Sequence, residues 1–441
     1  MTLQFRRLSI LVLIFPLLAR VNAQEQSPSQ ETKPLAFRTA IELALKNSAT
    51  VGINRNDLQR ARAAVSQTRD FFLPQAVIGS GLGFSYGFPL SLEGAAPSVF
   101  NVNVQEGLFN LAQREYIRAA KDDVKVTEAQ NADRRNDIIM ETALSYMQLD
   151  LLDSSIPVQR EQQQAAARLQ EIVNQRVQAG LDSSVDLTRA KLAVAHTRLD
   201  IAQAQSAADE LRLRLSQLTG LPLGAIFTST ETIPKIPELS QNRDLASEAA
   251  DKNLAVTVAN FVAEAKEHRA KAEHKQLFPS IDLAAQYAVL ARFNNYDQFF
   301  LKFQRHNVTA GAAFRFYFLN PVQRAAADVA RFDAQKAREE ARNVKQQVSS
   351  DTLKLRRSVE QLTAARDVAQ LEHDLAQADI ESTEAKIQSG EATLKDQQNA
   401  RVTEHERNTA YLNSTFELDK AQVQLLRQIN QLESWAVGPP H

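Results

Sequence analysis

Few residues in this chain have a type and spacing that could do chemistry. Cys is absent from all 441 residues, which removes disulfides, thiolate zinc sites and a lipid-bearing N-terminal Cys. The seven His are scattered, HExxH does not occur, and His268 and His274 are six apart, on nearly opposite faces of a helix. Gly79-Ser80-Gly81-Leu82-Gly83 is not the dinucleotide fingerprint and falls in an alternating, strand-like stretch. There is no Walker sequence. No catalytic, cofactor or metal site is expected, and the energy for any transport must come from a partner. What remains is a repeated context: Asp186 follows Gly180, and Asp396 follows Gly390, each by six residues. Carboxylates gathered closely repel, raise one another's pKa and attract cations. A lone carboxylate near a helix start only complements the helix dipole. The elements that carry these residues decide between the two.

The composition points to long helices. Lys and Arg number 51 against 52 Asp and Glu, a net charge of −1, so nothing favours nucleic acid as a partner. Only 13 Gly and 14 Pro occur, few breakers for this length. Residues 1–23 read as a secretory signal peptide, with Arg6 and Arg7 before an apolar core from Leu8 to Leu18 and Val21-Asn22-Ala23 at its end. The core is too short for a membrane helix, and no later segment has the apolar length to span. Segment 24–36 is polar with two prolines and is expected to be a mobile lead-in.

The chain is internally duplicated. Leu73-Pro74 corresponds to Phe278-Pro279, Phe109-Asn110 to Leu319-Asn320, Arg176–Gly180 to Lys386–Gly390, and Asp186 and Ala190 to Asp396 and Ala400. The offset stays nearly constant. Two structural repeats are therefore expected, 37–219 and 242–436, joined by a linker at 220–241 where Gly220, Pro222, Gly224, Pro234 and Pro237 cluster, with a tail at 437–441. Helices are predicted at 37–72, 111–179 and 182–219, and at 242–277, 321–389 and 391–436. Each long helix would match two shorter ones placed end to end, giving a bundle of even-length rods about 100 Å long. Pro157 should kink the first long helix or mark a local irregularity in it, and Gly180 and Gly390 are natural left-handed stops. By helical rise, Asp396 would lie about two turns from the tip. Ala190, Ala193, Ala202 and Ala204 would let neighbouring helices approach closely.

Between the helices lie stretches that alternate with period two, predicted as strands at about 75–88, 99–109, 280–293 and 307–318. One face carries residues such as Ile78, Val102, Tyr287 and Val308, and the other Gly79, Asn103, Gln286 and Thr309. An apolar face ending in aromatics, opposite a small or polar face, is the pattern of membrane β-barrel strands. Arg292 and Arg315 fall on the polar, bore-side face and hint at some tolerance of anions. Four strands cannot close a barrel, and exposed edges are forbidden in lipid. Side chains fill an eight-strand barrel, so a conduit needs more strands. Several chains must pool their strands, three or more by this argument.

These residues resemble the TolC family of outer-membrane efflux and secretion ducts, from Ala36-Phe37-Arg38-Thr39-Ala40-Ile41-Glu42 to Trp435. The most specific stretch is Gln178-Ala179-Gly180-Leu181-Asp182-Ser183-Ser184-Val185-Asp186-Leu187-Thr188-Arg189-Ala190, similar to the family's first hairpin turn, with Leu218-Thr219-Gly220-Leu221-Pro222 like its ending. The resemblance implies a mainly α homotrimer. A long α-helical barrel would cross the periplasm and continue into a 12-strand transmembrane β-barrel in outer-membrane lipid, four strands per chain. It implies a periplasmic adaptor and an inner-membrane transporter as partners, in efflux or type I secretion. It also implies a pore constriction at Asp396, where the family places a carboxylate ring, with Asn399 where many relatives carry a second acid. Asp186 would help hold the closed state between helices, with Arg189 or Lys395. Gly180, Leu181, Ser184 and Gly390 match the adaptor-docking tips. The competing expectation is a periplasmic coiled-coil adaptor or scaffold without a pore. It would need one helical hairpin and a soluble β domain rather than two hairpins and membrane-type strands.

Overall fold

Two helices of 68 residues set the scale of the molecule, α3 (Leu111–Gln178) and α7 (Pro321–Gln388). At 1.5 Å per residue each is about 100 Å long. The computed structural model describes residues 34–82, 97–237, 244–291 and 304–438. The signal-peptide expectation lies outside them. The remaining helices are α1 (Phe37–Asn47), α2 (Ala49–Arg69), α4 (Ser184–Thr219), α5 (Leu245–Lys252), α6 (Leu254–Lys275), α8 (Leu394–Gln428) and α9 (Leu432–Ala436). The long helix α3 packs against α2, α4 and α6, and α7 packs against α5, α6 and α8. Among the described residues, no helix is long and apolar enough to cross a membrane.

The duplication extends to the caps. Asn110 and Asn320 each accept a hydrogen bond on Oδ1 from the amide three residues on, Gln113 or Gln323, both at 3.0 Å. Each of those glutamines then donates through Nε2 to a carbonyl of the preceding helix, Thr68 at 2.6 Å or Glu273 at 2.9 Å. The cap thus starts the helix and also ties it to its neighbour.

Three helices expected to be continuous are interrupted. The stretch 37–72 breaks at Ser48 and tightens to a 3-10 turn at Asp70–Phe72. The stretch 242–277 breaks at Asn253, which takes an extended conformation and accepts from the Ala255 amide at 2.9 Å. Periodicity hid both breaks, because Ser and Asn start a new helix without disturbing the apolar spacing. The stretch 391–436 begins at Leu394 and reverses at Asn430, whose φ is 56°. There the Gln431 amide donates to the Leu426 carbonyl at 2.8 Å, so Asn occupies the left-handed stop usually held by Gly. Pro157, by contrast, does not end α3, which runs through it.

The described part of the predicted linker, 220–237, is built into the core. Ile226 is fully buried. The Phe37 amide donates to Thr232 Oγ1 at 3.0 Å and the Trp435 indole to the Lys235 carbonyl at 3.3 Å. The buried Tyr146 hydroxyl donates to the Leu35 carbonyl at 2.6 Å and accepts from the Ser229 amide at 2.8 Å. Phe37 packs edge-on against both Tyr146 and Trp435. The end of the expected mobile lead-in is therefore anchored, with Leu35 buried and its amide bonded to the Phe227 carbonyl at 2.7 Å. Buried backbone polar groups must find partners, and Tyr146 supplies them for both segments.

Four strands form one antiparallel sheet in the order β1 (Gln75–Gly81), β2 (Ser98–Phe109), β3 (Ser280–Leu290) and β4 (His306–Arg315). β4 stops short of the predicted end at 318; the predicted ends at 88 and 293, with Arg292, lie outside the described residues. The register aligns Ile78, Val102, Tyr287 and Val308 in one row. The adjacent row, on the opposite face, is Val77, Asn103, Gln286 and Thr309. Strand alternation is thus coherent across the whole sheet. Ile78 is 71% exposed and Val308 75%, so the subunit leaves its apolar face uncovered. β1 and β4 are the two edges.

Candidate functional site: the helical tips and the channel fold

Each long helix ends in the same reversal. At the first, Gly180 has φ 71°, its amide donates to the Val177 carbonyl at 3.0 Å, and the Leu181 amide donates to Arg176 at 2.8 Å. At the second, Gly390 has φ 83°, with Gly390 to Ile387 at 3.1 Å and Glu391 to Lys386 at 2.8 Å. This is the Schellman pattern, and it requires a left-handed residue. A Cβ on either glycine would meet nothing within 4 Å, so the space around both tips is open. Leu181 is 67% exposed there, and Ser184 is exposed beside it. The first tip carries an additional tie, the two-pronged bond from Arg176 to Asp182 at 2.8 and 3.0 Å, which holds the guanidinium pKa above its ordinary value. The second tip has Lys386 and Ala392 at those positions.

Asp186 and Asp396 are the third helical residues of α4 and α8, and each completes a capping box. The Ser183 hydroxyl donates to Asp186 Oδ2 at 2.6 Å, and the Asp186 amide donates back to that hydroxyl at 3.2 Å. In the second repeat the Thr393 hydroxyl and amide donate to Asp396 Oδ2 at 2.7 and 2.9 Å. Asp396 therefore lies in the first turn, not two turns in, because the reversal itself consumes Gly390 to Thr393. Arg189 bonds Asp186 at 3.3 Å from one turn along the same helix; this expected pair forms within α4 rather than between helices. Asn399 is exposed one turn beyond Asp396. Lys395 lies on α8, with its side chain outside the described residues.

Polar ties between α7 and α8 were not read from the sequence. Glu384 accepts from Gln397 at 3.0 Å and from Arg401 at 3.3 Å. Arg407 donates to Glu372 at 2.8 Å, and His373 bonds Glu404 at 3.1 Å while stacking on Tyr411. A signal for them existed: residues nearly equidistant from Gly390 face each other in an antiparallel hairpin, as Glu372 and Arg407 do. At the other end, the buried Glu115 of α3 receives Lys275 at 2.6 Å, Arg118 at 2.7 Å and His268 at 2.9 Å. Burial alone would raise its carboxyl, but the bonds from Lys275 and His268 hold it below the ordinary value. Glu115 locks α3 to α6, just below the strands both helices adjoin. Arg315 on β4 donates to Asp282 on β3, so on the bore-side face it stands as one half of a charge pair.

Among the described residues, no group of three or more His, Asp or Glu could hold a metal. The content of the arrangement is geometric: two long helical hairpins with open tips at one end and a two-faced sheet at the other. The same geometry occurs in solved outer-membrane channels. The CmeC outer membrane channel of Campylobacter jejuni matches with a TM-score of 0.74 at 16% identity, over 90% of this chain and 86% of that one. VceC, an outer membrane protein of Vibrio cholerae, matches with a TM-score of 0.68 at 18% identity, over 89% and 96%. The fold is that of an outer-membrane channel subunit. Residues 40–221 match the outer membrane efflux protein family. Protein CyaE of Bordetella pertussis is 24% identical over 263 residues, 58% of this chain and 55% of that protein, so the match spans about half of that relative. The resemblance to the TolC family is borne out, in sequence over 40–221 and in fold over about nine tenths of the chain.

Proposed function

We propose that three copies of this chain form a duct that exports solutes across the periplasm and the outer membrane. It would be the exit component of a tripartite efflux pump or a type I secretion system. The observation that carries this reading is the sheet. It has four strands, one apolar face left exposed and two unpaired edges, and in lipid such edges must be paired. Three copies supply 12 strands, enough to leave a lumen. The helices support the same assembly. α4 exposes Val185, Leu192 and Leu199 at heptad spacing, and α7 exposes Val368, Leu371 and Leu375. These stripes are separate from the seam that α4 shares with α3 through Ala204, Ala208 and Leu215. Coiled-coil spacing on an uncovered face calls for another helix.

In that assembly the open tips at Gly180, Leu181, Ser184 and Gly390 are the docking points for a periplasmic adaptor joined to an inner-membrane transporter. Three copies of Asp396, with Asn399 beside them, form the constriction. Asp186, with Arg189 or Lys395, helps hold it closed. Fractionation of the mature protein tests the reading. Heat-modifiable trimers in the outer membrane are expected; a soluble monomer would favour a periplasmic scaffold instead.

A further inference from the structure

The polar face of the sheet is nearly free of charge. Its described rows carry Asn101, Asn103, Gln286 and Thr309, all neutral. Among the described residues, the exception sits at one level, where the strands meet the helices. Asp282, two residues into β3, and Arg315, the last residue of β4, lie on this same face, and the guanidinium donates to the carboxylate. Asp282 lies opposite Gly107 of β2, and a Cβ there would come within 2.3 Å of the Phe71 ring. The helix-side end of the polar face is thus closely packed rather than a loose rim.

We propose that Asp282 and Arg315 are the charge-selectivity residues of the barrel neck, a collar that cancels its own field. The inference rests on the trimeric duct reading, which places the polar face toward the lumen. Three copies give a ring of three carboxylates interleaved with three guanidinium groups. A ring of like charges biases ions within a Debye length, about 10 Å at 0.1 M salt, and a low-dielectric wall focuses that bias. A paired ring has almost no field at that range. The neck therefore passes cations and anions alike, and each partner masks a selectivity that the other would impose alone.

The test uses the purified full-length protein in planar bilayers under a KCl gradient at low salt. Asp282→Asn should move the permeability ratio toward chloride by about twofold or more, and Arg315→Gln should move it toward potassium by a similar factor. The double variant should return to the wild-type ratio. Single variants that leave the ratio unchanged, or that shift it in the same direction, overturn the collar. If a single variant fails to assemble, the exchanged pair Asp282→Arg with Arg315→Asp keeps the contact and should show wild-type selectivity; a shifted ratio overturns the collar. Wild-type channels without opposing shifts refute the collar alone. Wild-type protein that forms no channel removes the duct reading, and the collar with it.

Discussion

Asp396 does two jobs that a substitution can separate. As the third residue of a capping box it bonds back to the Thr393 cap and helps start α8. As a charge at the proposed constriction it would draw cations. Gln is accepted at this position of the box but carries no charge. Asp396→Gln should therefore weaken cation block of single channels with little change in melting temperature, whereas Asp396→Ala should lower both. Planar-bilayer recordings identical to wild type for both variants would count against the ring. A second residue sets a pH dependence. Burial pushes the Asp419 carboxyl up to about 6, against a smaller opposing pull from Arg366. Between about pH 4 and 6 the folded chain holds a proton that the unfolded chain has lost, so this group's contribution to stability falls as pH rises through that window. Asp419→Asn should raise the melting temperature at pH 7 and lose that advantage near pH 4. An equal gain at both pH values would show that charge burial is not the cause.

At the scale of elements, the two hairpin tips are the same device with different fastening. Both need a left-handed residue, and a side chain there costs about 1–2 kcal/mol. Because nothing lies within 4 Å of a Cβ at Gly180, Gly180→Ala should carry only that conformational cost. A bulky replacement such as Gly180→Trp would instead project into the open space where an adaptor would approach. Export should fall in that variant while heat-modifiable trimers persist in the outer membrane. Normal export would remove the docking role of this tip. The Arg176–Asp182 bridge fastens only the first reversal, so the two hairpins present chemically different tips.

The whole molecule is a subunit with its contact surfaces showing. Leu192 and Leu199 are 56% and 52% exposed, so acidic residues there would cost a lone chain little. In an assembled tube the same residues would lie in a helix seam, where unpaired charge is expensive. Leu192→Asp combined with Leu199→Asp should leave the helical content of the subunit intact and abolish the trimer in detergent, as read by native mass measurement. Trimers that form normally would mean that this stripe faces something other than a second copy.

The sequence by itself determined the plan: two repeats, two helices of nearly the observed length, four alternating strands and glycine stops at both tips. These features depend on local spacing, left-handed backbone and period-two alternation, all of which can be read along the chain. It did not reveal the breaks at Ser48, Asn253 and Asn430, since short polar residues interrupt a helix without altering its apolar rhythm. Nor did it show that segment 220–237 is woven into the core around Tyr146, because a hydroxyl that serves two distant backbone segments leaves no periodic trace. The candidate site divides in the same way. The positions of Asp186 and Asp396 beside the turns were legible, but their service as caps depends on where the reversal ends. The pairing of Arg315 with Asp282 was decided only when the register brought β3 beside β4, since a charge balanced across strands is invisible to any reading of one strand alone.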